Sequence, residues 1–322
     1  MKRLFGGLLS LALALGSAPI AQAQPAYPEK PVKLIVPWPP GGSADAIGRL
    51  VAVGLAAELK TSVYVENVAG ASGTIGTQQL VRSQPDGHTL LLATSSANAA
   101  APHLLKRVGF APVNDFRPIG LVAMAPSVLV VPLASPFKVP NDIVEAARRK
   151  PGQLSFGSGG NGNSGHLSGE LFKSVAKIDA THVPYKGNTP AMTDLIGGQT
   201  DFMFDNGAIP FIKGGRVRAL AVASDARLQA LPDVPTFAEL GLPGMKMNTW
   251  FGLAAPAATP APVVQRISAA LNAALGAEDM TRRLTDMGAQ VQTSTPDKFA
   301  AFWRQELDRY KELIKLSGAN LE

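Results

Sequence analysis

The sequence predicts an α/β protein with parallel sheets, and three observations support this. Short apolar strands alternate with helical stretches six times, a pattern typical of parallel sheets with helices on both faces. The chain has 322 residues, 46% of them hydrophobic, which is enough for two cores at about 100–200 residues per domain. Each strand runs into a loop of small, uncharged or weakly polar residues. Because ligands bind at the carboxyl ends of the strands in such sheets, we expect the function in these loops.

Residues 1–23 have the pattern of a secretory signal peptide. A positive start at Lys2 and Arg3 precedes an apolar run from Leu4 to Leu15, and Ala21-Gln22-Ala23 is a small-x-small cleavage site. The run is shorter than the roughly 20 apolar residues of a spanning helix, and Pro19 interrupts it. The chain has no cysteine, hence no thiol for a lipid anchor. We therefore expect an exported, freely soluble protein that is not a lipoprotein.

The charge of the chain argues against a nucleic-acid partner and says little about other partners. Thirty Lys and Arg stand against 24 Asp and Glu, which gives a formal net charge of +6. No basic run is interleaved with aromatic residues, so a nucleic-acid partner is not expected. The cluster Arg148-Arg149-Lys150 is typical of a solvated helix face.

The six strand–loop units are distributed over most of the chain. The strands, each followed by its loop, are VKLIV before PWPPGGSADAIG, VYV before ENVAGASGTIGTQQL, TLLL before ATSSANAAAPHLL, LSF before GSGGNGNSGHLSGELF, THVPY before KGNTPAMTDLI, and TDFMF before DNGAIPFI. After them, helices are predicted over 260–275, 277–287 and 296–316, with a short strand at 289–292. The aromatic stripe of the last helix is typical of a packing face.

The first loop indicates how a ligand could be bound. Pro37, Pro39 and Pro40 restrict the loop to one shape, whereas Gly41 and Gly42 let a ligand approach the backbone closely. We expect Ser43 to cap the helix that follows. A helix N-terminus exposes unpaired N–H groups and a partial positive charge, so it attracts anions without a cationic side chain.

Catalytic and metal-binding patterns are weak. Ser164 follows Gly162 at the right spacing, but His166 occupies the second glycine position of a G-x-S-x-G elbow. The absence of cysteine excludes thiol catalysis. His166 and Glu170 could share a helix face, but two ligands make a poor metal site, and a hydrogen bond at the helix start is the favoured role of His166. No metal site is therefore predicted.

The segment Gly157–Gly162 fits the dinucleotide motif G-x-G-x-x-G between a strand and a helix. A dinucleotide site also has an acidic residue at the end of the following strand, whereas Asp179 precedes that strand here. The lysine of a Walker motif is missing as well. We expect no nucleotide and no other cofactor.

Several longer segments carry a resemblance to a known family. They are YPEKPVKLIVPWPPGGSAD, GTIG, PDGHTLLL, FGSGGNGNSGHLSGELF, VPYKGNTPAMTDLIGGQTDFMFDN, RALAVASDARLQALPDVPTFAELGLPG and WFGLAAPAATPAPVV. With these, the mature chain resembles the periplasmic solute receptors of tripartite tricarboxylate transporters, the Bug-type receptors. The resemblance implies a two-lobed Venus-flytrap fold, of the type II-like periplasmic-binding-protein class, with the ligand in the interlobe cleft. It implies one lobe from residues 24–124 plus 247–322, another from 125–246, and a monomeric protein.

The resemblance also implies a set of ligand-binding residues and no catalytic ones. Receptors of this kind hold a carboxylate through backbone amides, hydroxyls and bridging water, and we expect no arginine–carboxylate fork. Carried over position by position, the ligand-binding residues are Trp38, Gly41, Gly42, Ser43, Asp45, Gly73, Thr74, Ser95, Ser158, Asn161, Ser164, His166, Tyr185 and Asp205. Asp205 is expected to order water or the second-lobe loop, with capping of the next helix as the alternative.

The second loop departs from the family pattern. Many relatives have NRPGAGG there, whereas this chain has NVAGASG at residues 67–73, without the arginine and the proline. This change affects the shape of one side of the cleft and hence the preferred acid. The family's ligands range over di- and tricarboxylates, acidic amino acids and aromatic or pyridine acids, and the sequence does not choose among them.

Two function classes follow. The first is a receptor that delivers a small carboxylate to the membrane subunits of a tripartite transporter. The second is a secreted α/β hydrolase or isomerase that uses His166 or Asp205 as a base. The missing nucleophile elbow and metal set favour the receptor.

Overall fold

The structure is a computed structural model that describes residues 27–319. The predicted signal peptide therefore lies outside the described residues. The strands are β1 (Val32–Val36), β2 (Val63–Asn67), β3 (Thr89–Thr94), β4 (Phe116–Pro126), β5 (Val128–Pro132), β6 (Ser155–Ser158), β7 (Thr181–Pro184), β8 (Phe202–Asp205), β9 (Val217–Val222), β10 (Asn248–Pro256) and β11 (Gln290–Val291).

Ten α-helices are found in the described part of the chain. They are α1 (Ser43–Leu59), α2 (Thr74–Val81), α3 (Ala101–Leu104), α4 (Pro140–Arg149), α5 (Ser164–Ala176), α6 (Asn188–Ile196), α7 (Ile209–Lys213), α8 (Ala261–Gly276), α9 (Glu278–Asp286) and α10 (Pro296–Ser317). Each of the six predicted loops leads from a strand toward a helix. The three C-terminal helices and the short strand between them are confirmed to within one or two residues. Within residues 27–319, none of the helices combines the length and apolarity that a membrane crossing needs.

The strands form two sheets, one in each lobe. The first sheet has the order β11-β4-β10-β3-β1-β2, and the second has the order β7-β6-β8-β5-β9. β1 is parallel to β2 and β3, and β6 is parallel to β7 and β8, as the alternation of strands and helices predicts. β10 runs antiparallel to β3 and β4, and β5 runs antiparallel to β8 and β9. Each of these two strands is the first after the chain crosses from one sheet to the other. The two-lobed α/β fold is confirmed.

The two connections between the sheets are hydrogen-bonded to each other. The chain leaves the first sheet at Ser127, whose N–H donates to the carbonyl of Met247 at 3.0 Å. Ala223 and Met247 lie on the return path: the Ala223 N–H donates to Ser127 and the Met247 N–H to Ala223, both at 2.9 Å. These bonds make the junction between the lobes a short, paired segment.

The C-terminal helix packs against both lobes. Phe299, Trp303 and Tyr310 are buried and Phe302 is partly buried. The Trp303 ring lies 5.3 Å from the ring of Trp250 in β10 and 5.2 Å from that of Phe116 in β4. The predicted packing face is thereby confirmed. Near its end, the carbonyl of Leu316 accepts a 2.8 Å hydrogen bond from Ser174 of α5, in the second lobe. α10 thus contacts both lobes, and its buried residues belong to a hydrophobic cluster that includes residues of both.

Candidate functional site

A cleft with about 550 Å³ of empty space, part of it open to solvent, lies between the lobes. Its walls come from the loops after β1, β3, β6, β7 and β8, and from β10. The lining residues are Trp38, Pro39, Pro40, Gly42, Ser43, Ala44, Thr94, Ser96, Asn163, Ser164, Gly187, Asn188, Thr189, Pro190, Asn206, Thr249 and Phe251. None of these described residues is charged, so any charge on a ligand must be met by dipoles and hydrogen bonds.

The loop after β1 brings the start of α1 to the cleft. Gly42, with φ −89° and ψ 176°, is the N-cap of α1, and within the described chain no side chain caps this end. The expectation that Ser43 caps α1 is therefore wrong, because Ser43 is already the first helical residue. Its hydroxyl donates instead to Oδ1 of Asn206 in the second lobe, at 3.0 Å. The first N–H groups of α1 thus remain available to a ligand.

Asp45 lies behind this loop and holds its shape. Its carboxylate accepts hydrogen bonds from the Gly41 N–H at 3.0 Å, from Arg49 Nε at 3.0 Å and from Asn67 Nδ2 at 2.9 Å. Burial raises the pKa of Asp45, but these hydrogen bonds outweigh burial and leave its pKa below the ordinary value. Asn67 Nδ2 also donates to the carbonyl of Trp38 at 3.1 Å. Asp45 is buried and does not line the cleft.

Trp38 is fixed from the same side. Its indole Nε1 donates to Oγ1 of Thr94 at 3.1 Å, which orients the ring at the cleft wall. Gly73 has a φ of +86°, and a Cβ atom there would lie 2.8 Å from Cβ of Ala97 and 3.3 Å from Cζ2 of Trp38, so this position favours glycine. Thr74 turns its hydroxyl to the carbonyl of Ala71 at 2.8 Å. Gly73 and Thr74 therefore lie behind the wall that Trp38 forms.

In the second lobe, a chain of hydrogen bonds joins three loops. Oδ1 of Asp205 accepts from Asn188 Nδ2 at 2.6 Å and from the Gly207 N–H at 3.1 Å. Oδ1 of Asn188 accepts from Asn163 Nδ2 at 2.9 Å, and Oδ1 of Asn163 caps α5 by accepting from the His166 N–H at 2.9 Å. The network sets the starts of α5 and α6 beside the loop after β8.

Asp205 is the buried centre of this network. Burial raises its pKa from 3.8 to about 6, although the hydrogen bonds from Gly207, Asn188 and the Asn206 backbone act in the opposite direction. The alternative that Asp205 caps the next helix is wrong, because α7 begins after Ala208 and no side chain in the described chain caps it. Asp205 orders the second-lobe loops instead.

His166 also supports the site from behind. Its Nδ1 accepts the Gly162 N–H at 3.0 Å, which is the expected hydrogen bond at a helix start. Its ring stacks on His182 at 4.1 Å, and His182 Nε2 is 2.7 Å from the Ser158 hydroxyl. Burial lowers the pKa of His166 to about 4 and that of His182 to about 3, so both rings are neutral at pH 7. Residues 27–319 contain no group of side chains that could hold a metal ion.

The remaining predicted residues occupy different positions. Trp38, Gly42, Ser43 and Ser164 line the cleft, and Gly41 is next to it. Ser95 and Ser158 are fully buried. Tyr185 continues the edge of β7, where its N–H donates to the Ser158 carbonyl at 2.9 Å. Asn161 lies at the rim, where its carbonyl accepts from Ser72 of the first lobe at 2.7 Å.

Sequence reasoning missed the contribution of β10. Thr249 and Phe251 of this strand line the cleft, although they belong to none of the six loops. Thr249 is 3% exposed, and its Oγ1 has no hydrogen-bond partner within the described residues. A buried hydroxyl without a partner is costly, so it indicates a place for a ligand or water. The only local signal is a polar residue at the start of an apolar strand.

Comparisons with known proteins agree with this architecture. Residues 47–319 match the family described as the tripartite tricarboxylate transporter family receptor. A UPF0065 protein from Pseudomonas sp. strain P51 is 39% identical over 95% of this chain and 92% of its own length. The solved structure of the periplasmic binding protein BugD is 36% identical, with a TM-score of 0.86 over 91% of this chain and 99% of that one. The structure of R. palustris Rpa4515 with adipate is 32% identical, with a TM-score of 0.88 over 92% and 100%.

These matches decide between the two function classes. The relatives are solute-binding proteins, so the alternative of a secreted enzyme is not supported. The positions of His166 and Asp205 are also consistent with a receptor, because both side chains make hydrogen bonds behind the cleft wall. The chain belongs to the receptor family of the tripartite tricarboxylate transporters, and it is a periplasmic solute-binding receptor of the Bug type.

Proposed function

We propose that the cleft binds one small organic carboxylate through backbone N–H groups and hydroxyls of both lobes, with no charged side chain in contact with the ligand. The observation that carries this proposal is the uncharged lining, into which the first residues of three helices project: α1, α5 and α6. The positive ends of the helix dipoles stabilise an anion there. Because α1 belongs to the first lobe and α5 and α6 belong to the second, a carboxylate can contact all three helix N-termini only when the lobes are closed.

The lining divides into polar and apolar groups. Ser43, Ser164 and Thr249 supply hydroxyls, and the N–H groups at the starts of α1 and α6 supply further donors. Trp38 and Phe251 offer apolar faces for the carbon skeleton of the acid. Such a mixture, mostly apolar with a few convergent polar groups, is typical of small-molecule sites.

Receptors of this family are periplasmic, and we further propose the route by which this chain is exported. Residues 1–23 act as a leader that is removed after Ala23, so that the mature chain begins at Gln24 without a lipid anchor. The mature protein is then a monomeric receptor that delivers its bound carboxylate to the membrane subunits of a tripartite transporter.

Calorimetric titration of the mature protein tests the binding mode. The panel contains benzoate, adipate and citrate as a mono-, a di- and a tricarboxylate, with adipamide as the neutral match of adipate. We expect at least one acid to bind and adipamide to bind at least tenfold more weakly than adipate, because an amide carries no charge for the helix ends to stabilise. Binding of no acid, or equal measurable affinities for adipate and adipamide, would contradict the proposal.

A further inference from the structure

The turn before α2 has an unusual backbone. Four successive residues have a positive φ: Gly70 at +132°, Ala71 at +44°, Ser72 at +57° and Gly73 at +86°. The left-handed region suits glycine, but Ala71 and Ser72 carry a Cβ atom that makes it unfavourable. Two adjacent non-glycine residues in this region persist only where the surrounding structure holds them.

The first lobe holds this turn firmly. The Gly73 N–H donates to the Gly70 carbonyl at 3.0 Å, and the Thr74 hydroxyl donates to the Ala71 carbonyl at 2.8 Å. On its inner side the turn packs against Ala97, whose Cβ would lie 2.8 Å from a Cβ at Gly73. The strained turn is therefore a fixed part of the first lobe.

The consequence of the strained conformation is a contact across the cleft. It directs the Ser72 hydroxyl to the carbonyl of Asn161 in the second lobe, at 2.7 Å. Ser72 and Asn161 are not among the residues that line the cleft, so this bond joins the lobes outside the cleft lining. A second hydrogen bond between loops of the two lobes, from Ser43 to Asn206, lies within the cleft lining itself.

We propose that the Ser72–Asn161 hydrogen bond is a latch that stabilises the closed arrangement of the lobes and thereby slows ligand release. The bond joins the two lobes, so it contributes only when they are together, and a contact made in one state alone shifts the balance toward that state. This inference rests on the proposed binding of a carboxylate between the lobes. Ser72 is a positioning residue, because it acts through the lobes and not on the ligand.

Two substitutions at one position separate the latch from the strain. Ser72→Ala removes the hydroxyl but keeps a Cβ atom at the unfavourable φ. Ser72→Gly removes the hydroxyl and also the Cβ atom that makes this φ unfavourable. With adipate as the probe in stopped-flow experiments, we expect the dissociation rate to rise about threefold to tenfold in both variants, with a nearly unchanged association rate. Ser72→Gly should nevertheless melt at a higher temperature than Ser72→Ala, because glycine adopts a positive φ without strain. The two variants would then differ in melting temperature while they release adipate at similar rates.

Ser83→Ala is the matched control. The Ser83 hydroxyl donates to the Leu80 carbonyl at the same distance of 2.7 Å, but within the first lobe. We expect this variant to release adipate at the wild-type rate. Wild-type release rates in Ser72→Ala and Ser72→Gly would overturn the latch, as would an equal effect of Ser83→Ala.

A second readout needs no ligand. The chain has no cysteine, so spin labels can be placed at Val53→Cys in the first lobe and Leu133→Cys in the second, both exposed. We expect Ser72→Ala to shift the distribution of distances between the labels away from the closed arrangement. An unchanged distance distribution would overturn the latch, whether or not the wild type binds an acid. Failure of the wild type to bind any acid would instead contradict the proposed function and leave the latch to be judged by the distances.

Discussion

Gly42 is the position at which the proposed binding mode can be tested most directly. It lines the cleft at the start of α1, and a Cβ atom built there would meet no protein atom within 4 Å. Its φ of −89° is also accessible to alanine. The substitution Gly42→Ala therefore places a methyl group in the ligand's space without a clash or backbone strain.

The effect on stability should be small. Replacement of a glycine with negative φ stabilises a chain by about 0.4–1 kcal/mol through the unfolded state. Alanine is a poorer N-cap than glycine, and this costs a similar amount of about 0.5–1 kcal/mol. Because the two effects offset each other, we expect the melting temperature to change by no more than about 2 °C.

The effect on binding should be large. The methyl group would separate the ligand from one or two N–H groups of α1, and each charge-assisted hydrogen bond is worth about 1.5–3 kcal/mol. Calorimetric titration with the acid that the wild type binds should then show an affinity lower by about tenfold to a hundredfold or more. Gly276→Ala is the control, since Gly276 ends α8 away from the cleft and also has open space around its Cβ position. Wild-type affinity in Gly42→Ala would refute the reasoning. A melting temperature much lower than that of the control would mean that the loop is a structural turn.

Three further outcomes follow from the structure. Thr249→Val keeps the side-chain shape and removes a hydroxyl that has no hydrogen-bond partner within the described residues. Titration should therefore show about tenfold weaker binding, while the melting temperature stays equal or rises. Unchanged binding would exclude a contact between Thr249 and the ligand. Burial raises the pKa of Asp205 to about 6, above its unfolded value of 3.8, so its stabilising contribution is complete below pH 3.8 and is lost as the pH rises through about 6. Urea unfolding of wild type and Asp205→Asn should show the wild type losing up to about 3 kcal/mol relative to the variant between about pH 4 and pH 7, and parallel pH curves would contradict the assignment. N-terminal sequencing of the exported protein should begin at Gln24, whereas an intact Met1 or a membrane-bound product would exclude the proposed leader.

The sequence by itself determined the α/β class, seven of the eleven strands of residues 27–319 and the small, weakly polar character of the loops that line the cleft, but it did not indicate β4, β5, β9 and β10. These features are local: strand and helix periodicity, proline and glycine in the turns, and the absence of charge can all be found within a dozen residues. The described residues that line the cleft are uncharged, and ligand binding without an arginine fork stays a prediction. The individual ligand contacts remain predictions until an acid is bound.

Only the tertiary structure decided which residues of each loop line the cleft and which support it. Asp45, His166 and Asp205 have the chemistry of ligand-binding groups, but each is buried in hydrogen bonds behind the wall. Conversely, Thr249 reaches the cleft because β10 runs antiparallel to β3 after the chain has returned from the second lobe. The orientation of a side chain depends on how its helix or strand is rotated against its neighbours, and that rotation is set by packing over the whole core.

The contacts between the lobes illustrate the same limit most clearly. Ser43 and Asn206 are 163 positions apart in the chain, and Ser72 and Asn161 are 89 apart. No local pattern relates such pairs, because their distance depends on the relative placement of two separately packed sheets. The sequence therefore determined what each loop could offer to a ligand, and the packing of the two lobes decided which of these groups meet.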